Sequence, residues 1–151
     1  MVDVLKAVQP HSRIGLDTSV VIDHIEGSSP FSDDSGQVFR HVGQQAAATG
    51  VTSVLTLTEL LTRPLQLGRR VLAARYEGLL RLTPDLVVAD VDTRVARRAA
   101  ALRAIYQLRT PDAIQVATCL VHGATAFVTN NTRLRRIDEL TVIVLADYQA
   151  R

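Results

Sequence analysis

A buried strand passes directly into an amphipathic helix within residues 13–26, whose sequence is RIGLDTSVVIDHIE. The apolar run 14–16, with the arginine before it, predicts a strand over 13–16, and the apolar spacing that follows predicts a helix over 19–26. Asp17 stands at the junction between them. This acid is either only the residue that starts the helix or also one arm of a metal site.

The same alternation of short apolar runs and helical patterns continues along the chain. Further strands are predicted at 50–55, 85–90, 126–129 and 141–145. Helices are predicted at 34–49, as a pair over 57–82 with a break around 64–68, and at 92–106, 111–122 and 132–137. Nearly continuous apolar strands that alternate with helices favour an α/β fold, a three-layer sandwich with a mostly parallel five-stranded sheet. Segment 26–36 is predicted to be a loop, and we expect one domain over residues 1–151.

Composition limits the class of protein. Of 151 residues, 47% are hydrophobic, and the single cysteine, Cys119, excludes a disulfide within the chain. Neither a signal-peptide pattern nor an apolar run long enough for a membrane span is present, so we expect a cytoplasmic protein. Lys6 is the single lysine among 17 basic residues, and the rest are arginines. Arginine suits phosphate binding and permits a nucleic-acid partner, although genome composition explains the same bias.

Polar residues follow the predicted strands where a ligand would bind. Asp17 follows the first strand and Glu59 the second, whereas Asn130 and Asn131 follow the fourth; Asp112 lies in the first turn of the helix 111–122. Ligands of open parallel sheets bind beyond the carboxyl ends of the strands. Carboxylates that converge there repel one another unless a cation compensates, and oxygen ligands suit Mg²⁺ or Mn²⁺.

Each of these acids also has a simpler structural explanation. Asp17 could only cap its helix. Thr56 and Glu59 match a capping box, with Thr56 as the N-cap. Thr110 could cap the next helix, which would leave Asp112 to interact with the helix dipole. Convergence of the acids on one rim of the sheet would weaken all three explanations together.

Other acid-based chemistries fit the sequence less well. Receiver domains and haloacid-dehalogenase-type phosphatases need a lysine late in the chain, and none follows Lys6. The dehalogenase-type motif also requires an aspartate where this chain has Ser19. Zinc is disfavoured because the four histidines are scattered rather than clustered.

Three segments of the chain resemble the signature segments of PIN-domain nucleases, and most closely those of VapC-type toxins of bacterial toxin–antitoxin pairs. These segments are LDTSVVID (16–23), LTLTELLTRP (55–64) and RTPDAIQVATCLVHGATAFVTNNTRL (109–134). The resemblance extends over about residues 13–145 and implies a Mg²⁺- or Mn²⁺-dependent endoribonuclease. It assigns Asp17, Glu59 and Asp112 to metal binding and Thr18 to the small polar position beside the first acid. It also implies an RNA substrate, a small antitoxin partner and a homodimer.

One position departs from the family pattern. The family has an aspartate where this chain has Asn131, at the end of TNN. The amide can still bind a metal or a water molecule, but the site loses one negative charge, which favours one metal over two. Asn131 could instead be a turn residue, and its presence leaves open a non-cleaving PIN-like module that binds RNA or protein. A metal-dependent phosphatase is a third alternative.

The arginines that follow Asn131 are the last candidates. Arg133, Arg135 and Arg136 lie just past the end of the fourth strand, where they could contact RNA phosphates. A solvated helix face explains them equally well.

Overall fold

A computed structural model of the protein describes residues 3–43 and 48–149. The strands are β1 (Arg13–Leu16), β2 (Thr49–Ser53), β3 (Leu86–Ala89), β4 (Ala126–Thr129) and β5 (Thr141–Val144). The α-helices are α1 (Val4–Val8), α2 (Thr18–Glu26), α3 (Ser32–Gly43), α4 (Leu55–Gln66), α5 (Arg70–Arg81), α6 (Thr93–Tyr106) and α7 (Thr110–Val121). Two 3₁₀ helices span Thr132–Arg136 and Leu145–Asp147.

The five strands form one sheet in the order β3-β2-β1-β4-β5. All four neighbouring pairs are parallel, which confirms the predicted sheet and shows that it contains no antiparallel pair. β1 is the central strand. The residue that follows it, Asp17, therefore lies at the middle of the edge formed by the carboxyl ends of the strands.

Helices cover both faces of this sheet, so the predicted three layers are confirmed. Successive strand residues point to opposite faces. Ile14 and Leu16 belong to a core shared with α1 to α5, while Gly15 faces α7. A Cβ at Gly15 would lie 2.8 Å from Cys119, so the close approach of α7 to the central strand needs glycine there. Helices α6 and α7 enclose a second core on that face.

Several predicted boundaries are wrong at the start of the chain. Helix α1 was not predicted, and the Asp3 carboxylate caps it by accepting a hydrogen bond from the Leu5 N–H. Helix α3 begins at Ser32, inside the segment predicted to be a loop, because two acids in its first turn complement the helix dipole. The predicted helix 34–49 is too long, since α3 ends at Gly43 and β2 begins at Thr49. Part of that prediction, residues 44–47, lies outside the described residues.

The middle of the chain follows the prediction more closely. β2 ends at Ser53 rather than at 55, because α4 already begins at Leu55. The break between α4 and α5 lies after Gln66, and Gly68 within it has the positive φ of 70° that glycine tolerates. In the described part of the chain, no helix is long and apolar enough to cross a membrane.

Candidate functional site

The four predicted site residues line one groove at the carboxyl edge of the sheet. The groove has a volume of about 310 Å³ and contains Asp17, Glu59, Asp112 and Asn131, with Asn130 beside them. We call it the acidic groove. The strand ends and helix starts of the sequence therefore do converge, as predicted.

Asp17 is held at the centre of this groove by two hydrogen bonds. Its Oδ1 accepts from the Thr18 N–H at 2.8 Å, which confirms that it is the N-cap of α2. Its Oδ2 accepts from the Thr129 hydroxyl at 2.6 Å. Asp17 can cap α2 and also line the groove, because the capping hydrogen bond uses only one of its two carboxylate oxygens. Thr129, at the end of β4, was not predicted from the sequence.

The negative charges in the groove repel one another. The pKa of Asp17 is raised to about 6, chiefly by burial and to a smaller extent by the charges of Asp112 and Glu59, while the hydrogen bonds from Thr129 and Thr18 lower it. The pKa of Glu59 is also raised, first by burial and then by Asp112, while Arg109 lowers it. A cation in the groove would offset both effects.

The structure contradicts two of the proposed helix caps. Helix α4 begins at Leu55, so Thr56 lies inside it, and the N-cap residue is Val54. Thr110 is the first residue of α7, whose N-cap is Arg109. Asp112 does lie in the first turn of α7. The capping box was wrong because the Thr56 hydroxyl is directed into the protein, where it makes buried hydrogen bonds.

Those bonds belong to a chain of three buried hydroxyls beneath the groove. The Thr52 hydroxyl donates to the Leu16 carbonyl at 2.9 Å, so its single hydrogen is used. The 2.8 Å contact between Thr52 and Thr56 therefore has Thr56 as the donor. By the same count, Thr18 donates to Thr56 across 3.0 Å. Each of these three threonine hydroxyls therefore has an acceptor for its hydrogen.

Gln115 completes this network from α7. Its Oε1 accepts from the Ser53 N–H at 2.7 Å, and its Nε2 donates to the hydroxyls of Thr18 and Thr56, both at 2.9 Å. The side chain is only 2% exposed. The network connects β2 with α2, α4 and α7, the three helices that position Asp17, Glu59 and Asp112. A glutamine within the otherwise apolar run 113–117 was the sequence signal for it.

The two asparagines after β4 have different roles. The Asn131 Oδ1 accepts from the Arg133 N–H at 3.0 Å, so Asn131 caps the 3₁₀ helix Thr132–Arg136 while lining the groove. Asn130 donates to Asp23 at 2.5 Å. Within residues 3–43 and 48–149, the buried Asn130 Oδ1 has no hydrogen-bond partner. Such an oxygen is suited to an ion or a water molecule.

The donor set of the groove fits a hard divalent cation. No three His, Cys, Asp or Glu side chains among the described residues are already arranged to hold a metal together. Mg²⁺ does not require such a cage, because it keeps several waters and uses one or two carboxylates. The three carboxylates that line the groove supply enough hard ligands for this mode of binding.

Comparison with known proteins identifies similar sequences and structures. The family model of the PIN domain matches residues 14–140. A toxin–antitoxin complex from Klebsiella pneumoniae has 23% identity and a TM-score of 0.66, with 89% of this chain and 98% of that chain covered. VapBC2 from Rickettsia felis, bound to a DNA fragment from its promoter, has 16% identity and a TM-score of 0.69, with 86% and 96% covered.

A third similar structure is DNA-bound VapBC from Salmonella typhimurium, with 21% identity and a TM-score of 0.65, covering 89% of this chain and 98% of that chain. A comparison with curated protein sequences found no match.

Proposed function

We propose that this chain, which belongs to the PIN domain family, is a divalent-metal-dependent endoribonuclease and the toxin of a toxin–antitoxin pair. The single observation that carries the proposal is the acidic groove, where Asp17, Glu59 and Asp112 converge at the carboxyl edge of a parallel sheet. Burial and like charge raise the pKa of Asp17 there. A site that destabilises its own carboxylates in this way is suited to a cation.

The three acids have two tasks in the proposed reaction, metal binding and proton transfer. Asp17 and Asp112 would hold Mg²⁺ or Mn²⁺, which supplies charge to offset the phosphate and acidifies a water molecule. Both Asp17 oxygens are already oriented by hydrogen bonds, so its geometry is preorganised. Glu59 is exposed at the groove, and its raised pKa suits it to accept a proton as well as to bind the metal.

Asn131 sets the charge of the site. It lines the groove without adding a negative charge, and its Oδ1 already accepts from the Arg133 N–H. The site therefore has three anionic ligands for dications, which favours hydrolysis with one firmly bound metal. The same feature is the observation that favours the alternative function, a PIN-like module that binds RNA or protein without cutting.

The partners follow from the same proposal. The similar solved structures include toxin–antitoxin complexes, which supports a small cognate antitoxin as the partner of this chain. The antitoxin would block the acidic groove, and the toxin would pair as a homodimer. RNA is proposed as the substrate.

The experiment that tests the function is cleavage of end-labelled single-stranded RNA with Mn²⁺ and with chelator. We expect cuts with Mn²⁺ and none with chelator, and no hydrolysis of p-nitrophenyl phosphate. Asp112→Asn is the control for a contaminating nuclease, with its melting curve confirming the fold. Hydrolysis of the small phosphoester instead of RNA would make the protein a phosphatase, and RNA binding without cleavage would make it the non-cleaving module.

A further inference from the structure

A second groove adjoins the acidic groove and has the opposite charge. Its volume is about 250 Å³, and Asp112 and Asn131 line both grooves, so the two are adjacent. The remaining lining residues come from the α6–α7 turn and from the 3₁₀ helix; they are Gln107, Leu108, Arg109, Arg133, Leu134 and Arg136. We call it the arginine groove.

The arginines of this groove form no ion pair with a carboxylate within the described residues. Ion pairs in the described residues involve Arg81, Arg94, Arg98 and Arg135. Within the same part of the chain, Arg109, Arg133 and Arg136 take part in none of them. All three side chains are exposed, so an anion can reach them.

Arg135 differs from its neighbours although it lies on the same 3₁₀ helix. It forms an ion pair with Asp147 and does not line the arginine groove. The structure therefore separates the three arginines that the sequence grouped together. Arg133 and Arg136 face the groove, and Arg135 is a natural control with the same side chain and a different environment.

The walls of the arginine groove are firmly held. Leu134 is 1% exposed and Leu108 is 5% exposed, so both are anchored in the core. The Arg103 Nε donates to the Leu108 carbonyl at 3.1 Å and fixes the α6–α7 turn. The other wall is fixed by the Asn131 cap on the Arg133 N–H. The backbone that carries these arginines is therefore already ordered before an anion binds.

From this arrangement we infer that the arginine groove binds the backbone phosphate next to the one cleaved in the acidic groove. The inference rests on the proposed function and adds the path of the RNA strand. The carboxylates of the acidic groove suit a cation, whereas the unpaired guanidinium groups of the arginine groove suit a phosphate that has no bound metal. An RNA strand that passes over Asp112 and Asn131 would place consecutive phosphates in the two grooves.

The test measures binding of a short fluorescent single-stranded RNA in chelator, where the RNA stays intact. The variants are Arg133→Gln with Arg136→Gln, and Arg135→Gln as the control with an unchanged groove. We expect the double variant to bind about tenfold more weakly, and the slope of log affinity against log salt to fall by about 0.7, because the groove neutralises one phosphate of a single strand. Arg135→Gln should bind as the wild type does. Arg109 stays intact because its charge acts on Glu59.

The outcomes separate this inference from the proposed function. If the wild type cuts RNA but the double variant binds as tightly as Arg135→Gln, the arginine groove is not a phosphate site. If the wild type does not cut RNA with Mn²⁺ and only the double variant loses affinity, the groove stands and the nuclease proposal fails. Absence of RNA binding by the wild type would overturn the inference as well.

Discussion

Replacement of Asp17 by asparagine is expected to lower RNA cleavage by on the order of 10³-fold. Asp17 is the acid at the centre of the groove, and the substitution removes its charge while leaving the shape of the residue nearly unchanged. Asp90→Asn is the matched control. Asp90 follows a strand as Asp17 does, but it is exposed and does not line the acidic groove. The measurement is the rate of RNA cleavage with Mn²⁺ by the wild type and by both variants. Cleavage by Asp17→Asn at the wild-type rate would remove Asp17 from the site.

The same substitution is expected to change the pH dependence of stability in the metal-free protein. The pKa of Asp17 is about 6 in the folded protein against an ordinary value of 3.8, so the folded state holds the proton more tightly than the unfolded state. Protonation of Asp17 therefore adds up to about 3 kcal/mol to the free energy of unfolding. This contribution is fully present below pH 3.8 and is lost as the pH rises through 6.

Urea unfolding in chelator at several pH values measures this loss. The wild type should lose stability between pH 4 and 7 relative to Asp17→Asn, whose residue 17 does not titrate. Parallel pH profiles for the two proteins would mean that the Asp17 carboxylate is not destabilised in the groove.

Replacement of Gln115 by leucine should be the most destabilising change beneath the site, at about 2–4 kcal/mol. It leaves the buried Ser53 N–H without its acceptor and takes the donor away from Thr18 and Thr56. Gln66→Leu, at an exposed helix end, serves as the control and should change stability by less than about 0.5 kcal/mol. Equal stability of the two variants in urea would contradict the network described here.

The layout of the sheet was accessible from the sequence because local patterns specify it. Each of the five strands was predicted close to its position. The order of the strands, which places the strand before Asp17 at the centre of the sheet, was not predicted. The acids were found because strand ends converge in such a sheet. Their roles as metal ligands remain predictions.

What the sequence did not reveal depends on partners that are distant along the chain. Thr129 reaches Asp17 across 112 positions, and Gln115 reaches Thr18 across 97. Thr56 was misassigned as a cap because its true partners, Thr18, Thr52 and Gln115, come from other elements. The different environments of Arg135 and Arg136 likewise depend on Asp147, which folds back from the end of the chain.

Calorimetric titration of the metal-free protein with Mn²⁺ tests most directly whether the acidic groove is a divalent-metal site. The wild type should bind Mn²⁺ with measurable heat, and its unfolding free energy should rise by about 2.7 kcal/mol when free Mn²⁺ is a hundred times the dissociation constant. Asp112→Asn, folded but with one carboxylate fewer, should bind more weakly. A folded wild-type protein that shows neither heat nor stabilisation at millimolar Mn²⁺ would contradict the metal site and the nuclease mechanism built on it.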